Sequence, residues 1–149
     1  MKIVAHAIRL VLAFLFTWAA ITKISDPRAF QDAIASYHLL PWLPAAIVTV
    51  WMPWLELTLA VALWIPRLGR TAAGMLVALC SVFLVALLQA WFRGIDITCG
   101  CFGDSSVVSG MAYLPYVGRD LGLVSLAVVL WRLDAKAAPV ETGAALDNP

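Results

Sequence analysis

The sequence predicts an all-α protein: a four-helix transmembrane bundle with a short extracytoplasmic surface helix between spans one and two. The first observation is composition. The chain of 149 residues is 63% hydrophobic and 13% charged, and its mean hydropathy is +0.92, so it has too few charges to coat a soluble domain of this length. The second is that four apolar stretches could each cross about 30 Å of hydrocarbon as a helix. They lie at residues 3–23, 44–65, 71–91 and 112–132, within one transmembrane domain over residues 1–133.

The first span begins like a secretory signal peptide, with Lys2 and Arg9 before an apolar run from Leu10 to Ile21. A small-residue cleavage site of the Ala-x-Ala type does not follow that run. We therefore interpret it as a retained membrane helix, like the other three spans. Backbone polar groups inside lipid must be satisfied within the segment, which favours a helix for each span.

The segment between spans one and two predicts a surface helix over residues 26–38. Asp26 is a suitable N-cap and Pro27 suits the first helical position. Phe30, Ile34 and Tyr37 recur at helical spacing and give the helix one apolar stripe. Such a helix would roof a cavity, dock a partner or merely connect two spans.

The Lys/Arg distribution predicts that both termini are cytoplasmic and that the protein lies in a bacterial inner membrane. The loop at residues 92–111 would then face the oxidising periplasm, and residues 134–149, which are small and polar, would form a disordered cytoplasmic tail. Six basic residues would lie inside and three outside: Lys2, Arg9, Arg67, Arg70, Arg132 and Lys136 against Lys23, Arg28 and Arg93.

The charge and cysteine counts exclude two classes of protein. A net charge of +1 leaves no basic stripe for nucleic acid. Three cysteines are too few for a miniprotein stapled by disulfides.

The loop at 92–111 carries the closest cysteine pair, Cys99-Gly100-Cys101. A disulfide between them would close a small, strained ring, and strained exposed disulfides are the readily exchanged ones. The first hypothesis is therefore a thiol–disulfide exchange pair. Arg93 and the N-terminal end of span four could stabilise a thiolate there.

Other readings of this pair stay open. The bond could be a fixed brace of the loop in a non-catalytic assembly subunit, so the sequence does not decide whether the protein is a disulfide oxidoreductase. The two thiolates could instead bind or transport a soft metal such as Cu(I), with His38 as a neighbour. Zinc would want four ligands, which are hard to find with two histidines in the chain.

Cys80 lies near the middle of span three, too deep to meet the loop cysteines unless the loop dips into the bundle. We interpret it as a small packing residue.

Ionisable side chains within the spans are costly and indicate function or specific pairing. Glu56 lies mid-way along span two after Pro53, and Arg119-Asp120 lies in span four. One hypothesis is a polar pocket of Glu56, Arg119 and Lys23 beneath the cysteine loop that moves protons as thiols oxidise. The other is interhelical contact that only holds the bundle together.

Taken together, these segments resemble the methylamine-utilisation MauE family, within the broader group of DoxX-like redox-associated membrane proteins. The resemblance extends over about residues 10–132. In span four the family pattern has Arg-Asn where this chain has Arg-Asp. The matching residues are Lys23-Ile24-Ser25-Asp26-Pro27, Phe30, Tyr37, Leu40-Pro41, Pro53-Trp54-Leu55-Glu56, Cys99-Gly100-Cys101-Phe102-Gly103 and Arg119-Asp120.

The resemblance implies a four-helix membrane protein that works beside a periplasmic thioredoxin-like protein. It would form or reshuffle disulfides in a client with cysteines, for example during maturation of the small subunit of methylamine dehydrogenase. The electrons would pass to a membrane quinone or come from the periplasmic partner. Trp91 and Phe92 could line a quinone site, although the sequence contains no quinone motif.

Overall fold

The computed structural model describes residues 2–39, 41–65, 67–98 and 107–137 and confirms the all-α bundle. Four of its helices are long and apolar enough to cross a membrane. Their bounds differ by a few residues from those expected of the spans. The elements are α1 Lys2–Ser25, α2 Pro27–Ser36, α3 Trp42–Ala62, α4 Gly69–Phe92, β1 Ile97–Thr98, β2 Val107–Val108, a 3-10 turn Gly110–Ala112 and α5 Tyr113–Ala137.

The polarity of the bundle is the reverse of that of a soluble protein. Large apolar side chains are exposed on its outside, such as Phe14, Trp51 and Val82 at 64%, 71% and 66%. Charged groups, among them Lys23 and Glu56, are buried inside. This arrangement suits a helical bundle whose surrounding solvent is lipid.

One end of the bundle is held by an ion pair between the first and last helices. Arg9 of α1 donates to Asp134 of α5 at 2.7 Å, next to Gly69 at the start of α4. The expectation that the disordered tail begins at Asp134 is therefore wrong, because this contact lies within α5, which continues to Ala137. The rest of that tail, 138–149, lies outside the described residues.

The interior next to this end is apolar and tightly packed. Its side chains come from all four long helices, so it forms one continuous core across the bundle. Five leucines with at most 4% exposure form its centre: Leu12, Leu59, Leu63, Leu76 and Leu130.

At the opposite end, α2 covers the junction of α1 and α3. Asp26 accepts a hydrogen bond from the Ala29 amide at 3.0 Å and Pro27 occupies the first turn, as the sequence predicts. Phe30 and Ala33 are the buried residues of α2 itself. The helix is shorter than the predicted 26–38 and ends at Ser36.

The loop at 92–111 is more ordered than expected, because it contains two short antiparallel strands. Ile97 pairs with Val108, and Thr98 with Val107. Ile97 and Val108 are each 1% exposed and pack against Tyr113 and the last turns of α4. The hydroxyl of Tyr113 donates to the carbonyl of Ile95. We call β1 and β2 the hairpin.

Candidate functional site

The hairpin carries the segment with the predicted exchange pair. Cys99 and Cys101 themselves lie outside the described residues. The Thr98 amide donates to Ser36 Oγ of α2 at 3.2 Å, and Thr98 pairs with Val107 across the strands. Both ends of segment 99–106 therefore start from paired residues that rest on α2, α4 and α5.

Arg93 caps the C-terminus of α4 at the same end of the bundle. Its amide donates to the carbonyl of Gln89, and its side chain is exposed. Its predicted effect on a thiolate stays a prediction.

A buried ion pair lies between α1 and α3. Lys23 Nζ donates to both carboxylate oxygens of Glu56, at 2.7 and 2.8 Å, and the two side chains are 1% and 2% exposed. The ammonium also lies 5.2 Å from the ring centroid of Phe30, which places α2 directly over the pair. Two contacts and a cation–π interaction compensate charges that have lost their water.

The charged pair of α5 has one outer and one inner member. Arg119 donates from Nε and Nη2 to Asp120 Oδ1, at 3.0 and 2.8 Å. Its side chain is 29% exposed and lies over the ring of Tyr116, whereas that of Asp120 is 8% exposed. Asp120, rather than the predicted Arg119, lines a cavity together with Lys23 and Glu56.

Lys23, Glu56 and Asp120 line one cavity inside the bundle. It offers about 30 Å³ to water and is bounded by Phe16, Ala19, Lys23, Glu56, Cys80, Phe83, Asp120 and Leu123. A buried water needs roughly 10–15 Å³, so the cavity fits one or two. Trp91 and Phe92, the residues predicted to line a quinone site, are not among the lining residues of this cavity, and that site stays a prediction.

Cys80 is the member of the cavity that the sequence did not connect with the others. It is 4% exposed and has a free thiol. The sequence shows that Cys80 lies mid-way along span three. It does not show which of the other helices packs against that residue. We call Lys23, Glu56, Cys80 and Asp120, with the cavity they line, the interior cluster.

Within the described part of the chain, we find no group of three or more His, Cys, Asp or Glu side chains placed to hold a metal ion. His38 follows α2 in the left-handed conformation, with φ 51°, and lines a surface groove with Gln31 and Asp32. The soft-metal hypothesis depends on Cys99 and Cys101, which lie outside the described residues, and it stays a prediction.

Comparison with known proteins decides the family. The family model described as Methylamine utilisation protein MauE matches residues 1–133. The chain belongs to the MauE family. The match extends over all four long helices, the hairpin and the segment with Cys99 and Cys101, and MauE proteins are membrane proteins, in agreement with the fold.

Curated MauE proteins agree with this assignment. The chain is 35% identical over 130 residues to the methylamine utilization protein MauE of Paracoccus denitrificans. The matched region covers 85% of this chain and 68% of that protein. It is 31% identical over 144 residues to MauE of Methylophilus methylotrophus (96% and 75%). It is 34% identical over 139 residues to MauE of Methylorubrum extorquens (91% and 73%). No solved structure matches the chain significantly.

Proposed function

We propose that this MauE protein is a membrane component of thiol–disulfide exchange in methylamine utilisation. Cys99 and Cys101 are the exchanging pair, a periplasmic thioredoxin-like protein is the partner, and the client is a protein with cysteines such as methylamine dehydrogenase. The hairpin end faces the periplasm from the inner membrane, and both termini are cytoplasmic. Family membership supports the role in methylamine utilisation.

The observation that carries the proposal is the way the hairpin is held. Strand β1 is bonded to α2 through Thr98 and Ser36, and both strands pack on α4 and α5 through Ile97 and Val108. A partner can attack a loop disulfide only where its thiolate can reach the sulfur atoms. The contacts that hold Thr98, one residue before Cys99, at the hairpin end support this proposal.

The chemistry conserves atoms and electrons. The thiolate of one loop cysteine attacks a partner disulfide, which forms a mixed disulfide and releases one partner thiolate that takes up a proton. The second loop cysteine loses its proton and attacks the mixed disulfide. The products are a Cys99–Cys101 disulfide and a reduced partner, so the two electrons pass to the partner, and the reverse sequence oxidises it.

Thiol trapping tests the proposal. Of the two single variants Cys99→Ala and Cys101→Ala, one lacks the resolving thiol, and in that variant we expect a mixed disulfide with a thioredoxin-like protein to accumulate in whole cells. It should be visible as a reducible band and identifiable by mass spectrometry. The Cys80→Ala variant is the matched control and should accumulate no such species.

Two outcomes would overturn the proposal. One is full support of methylamine growth by the Cys99→Ser/Cys101→Ser double variant, which would leave a non-catalytic assembly role. The other is purification with stoichiometric Cu(I), lost in that double variant and with no trapped partner, which would indicate a soft-metal protein.

A further inference from the structure

We propose that the interior cluster is a water-binding, proton-exchanging site within the membrane, reached from the hairpin end and closed toward the opposite end. Each long helix contributes one polar side chain to it, from Lys23 of α1 to Asp120 of α5. This inference does not depend on exchange at Cys99 and Cys101.

The polar atoms of the cavity suit a bound water. The Lys23 ammonium has three N–H donors, and its contacts with Glu56 use two oxygens of one carboxylate. Arg119 contacts Oδ1 of Asp120, so Oδ2 can accept from a water. The Cys80 thiol adds a weak donor and acceptor. The cavity of about 30 Å³ has room for a buried water, and these polar groups, in a lining that is otherwise apolar, are the partners that we assign to it.

The cluster is linked to the hairpin end through Asp120. Its partner Arg119 is 29% exposed and lies six residues after Tyr113, the first residue of α5. A long guanidinium side chain at that depth can extend toward the headgroup region and bring water with it. Arg119 and Asp120 therefore form the entrance.

Toward the opposite end the cluster meets the apolar core. Leu12, Leu63 and Leu76 in that core are each 0% exposed. A layer of this kind holds neither water nor a hydrogen-bonded chain, so protons enter and leave on one side only.

Charge compensation selects Asp120 as the proton acceptor. A proton that enters from the hairpin end is passed on by the bound water, which takes up one proton as it releases another, and neutralises the Asp120 carboxylate, whose partner Arg119 is 29% exposed. A proton on Glu56 would instead leave the Lys23 ammonium buried without its counter-charge, which is costly. The Lys23–Glu56 pair is thus the fixed charge pair beside the water, and Asp120 is the group that exchanges.

The Cys80 S–H bond is a native probe of this site. In the full chain with Cys99→Ser and Cys101→Ser, Cys80 is the single remaining cysteine of three, and infrared spectroscopy in lipid bilayers can follow its S–H to S–D exchange in D₂O. The matched control moves the thiol one turn into the apolar core, as Cys80→Ala with Leu76→Cys. A second control, Cys80→Ala with Ala127→Cys, covers the case in which the first does not fold.

We expect Cys80 to exchange at least about tenfold faster than either control thiol, since a hydrated site needs no local opening. Asp120→Asn should slow the exchange at Cys80 and leave the control thiols unchanged, with helicity confirmed by circular dichroism. Equal exchange rates at Cys80 and both control positions would show a dry cavity and overturn the proposal. So would an unchanged Cys80 rate in Asp120→Asn.

Discussion

Lys23 and Glu56 are 33 positions apart in the chain, and yet the ammonium of one contacts both carboxylate oxygens of the other inside the bundle, at 2.7 and 2.8 Å. Neither side chain is more than 2% exposed. The contact forms only when α1 and α3 pack in one register, because any shift would separate two charges that are shielded from bulk water. The pair therefore specifies how these two helices meet.

Replacing one member of this ion pair should destabilise the protein more than replacing both members by apolar residues. Lys23→Met or Glu56→Leu each leaves one buried charge without its partner, and we expect the free energy of unfolding to fall by about 3–5 kcal/mol. The double variant Lys23→Met/Glu56→Leu leaves no unpaired charge and should cost much less than the sum of the two. Reversible unfolding in detergent micelles measures all three values.

The control for this cycle is Arg28→Gln, an exposed cation on α2, which should change the free energy of unfolding by less than about 0.5 kcal/mol. Costs of the two single variants that simply add in the double variant would contradict the coupling.

The spans were predictable because their signal is local, whereas this pair was not. A run of apolar residues long enough to cross a bilayer is visible without knowing any contact. Lys23 is one of the three basic residues predicted to lie outside, but its side chain in α1 is buried against Glu56. The orientation of the bundle in the membrane stays a prediction.

Other features were missed because tertiary contacts decide them. The strands of the hairpin are two residues each, too short for an alternating pattern to emerge. Asp134 lies in a segment of small polar composition, and its place in α5 depends on Arg9, which is 125 positions away. Cys80 and Asp120 meet in one cavity because α4 and α5 pack side by side.

Removing the hydroxyl of Ser36 should loosen the hairpin. Its oxygen accepts from the Thr98 amide at 3.2 Å, and loss of such a bond costs about 1 kcal/mol. In Ser36→Ala we expect hydrogen exchange at the Thr98 amide to become about fivefold faster, the factor that corresponds to that energy. Mass spectrometry or NMR in micelles measures the change.

Ser125→Ala is the matched control for the hairpin, since the exposed hydroxyl of Ser125 bonds only to the Leu121 carbonyl of its own helix among the contacts of the described residues. Exchange at Thr98 should be unaffected there. An equal change in both variants would contradict a specific link between α2 and the hairpin.

Gly69 should not tolerate a side chain. A Cβ at this position would lie 3.2 Å from the Leu63 carbonyl oxygen, a backbone atom, and 3.4 Å from Arg9 Nη2. We expect Gly69→Ala to lower the free energy of unfolding by about 1–3 kcal/mol through overpacking beside the Arg9–Asp134 pair. Gly122→Ala has no atom within 4 Å of its Cβ and should be neutral or stabilising, by up to about 1 kcal/mol. Thermal unfolding of both proteins compares them, and a lower Tm for Gly122→Ala than for Gly69→Ala would contradict this account.

The two ends of the bundle should lie on opposite sides of the membrane, with the hairpin outside. Leu68, before α4, and Val107, in β2, are 48% and 69% exposed and lie at opposite ends. With Cys99 and Cys101 replaced by serine, Val107→Cys should react with a membrane-impermeant maleimide on intact cells. Leu68→Cys should react only after the cells are opened, because the positive-inside rule predicts that the end with six of the basic residues is cytoplasmic. The parent with Cys80 alone should remain unlabelled, since that thiol is 4% exposed.

Labelling of Leu68→Cys but not Val107→Cys on intact cells would show that the topology is the inverse of the predicted one. A periplasmic partner could then not reach the cysteine segment.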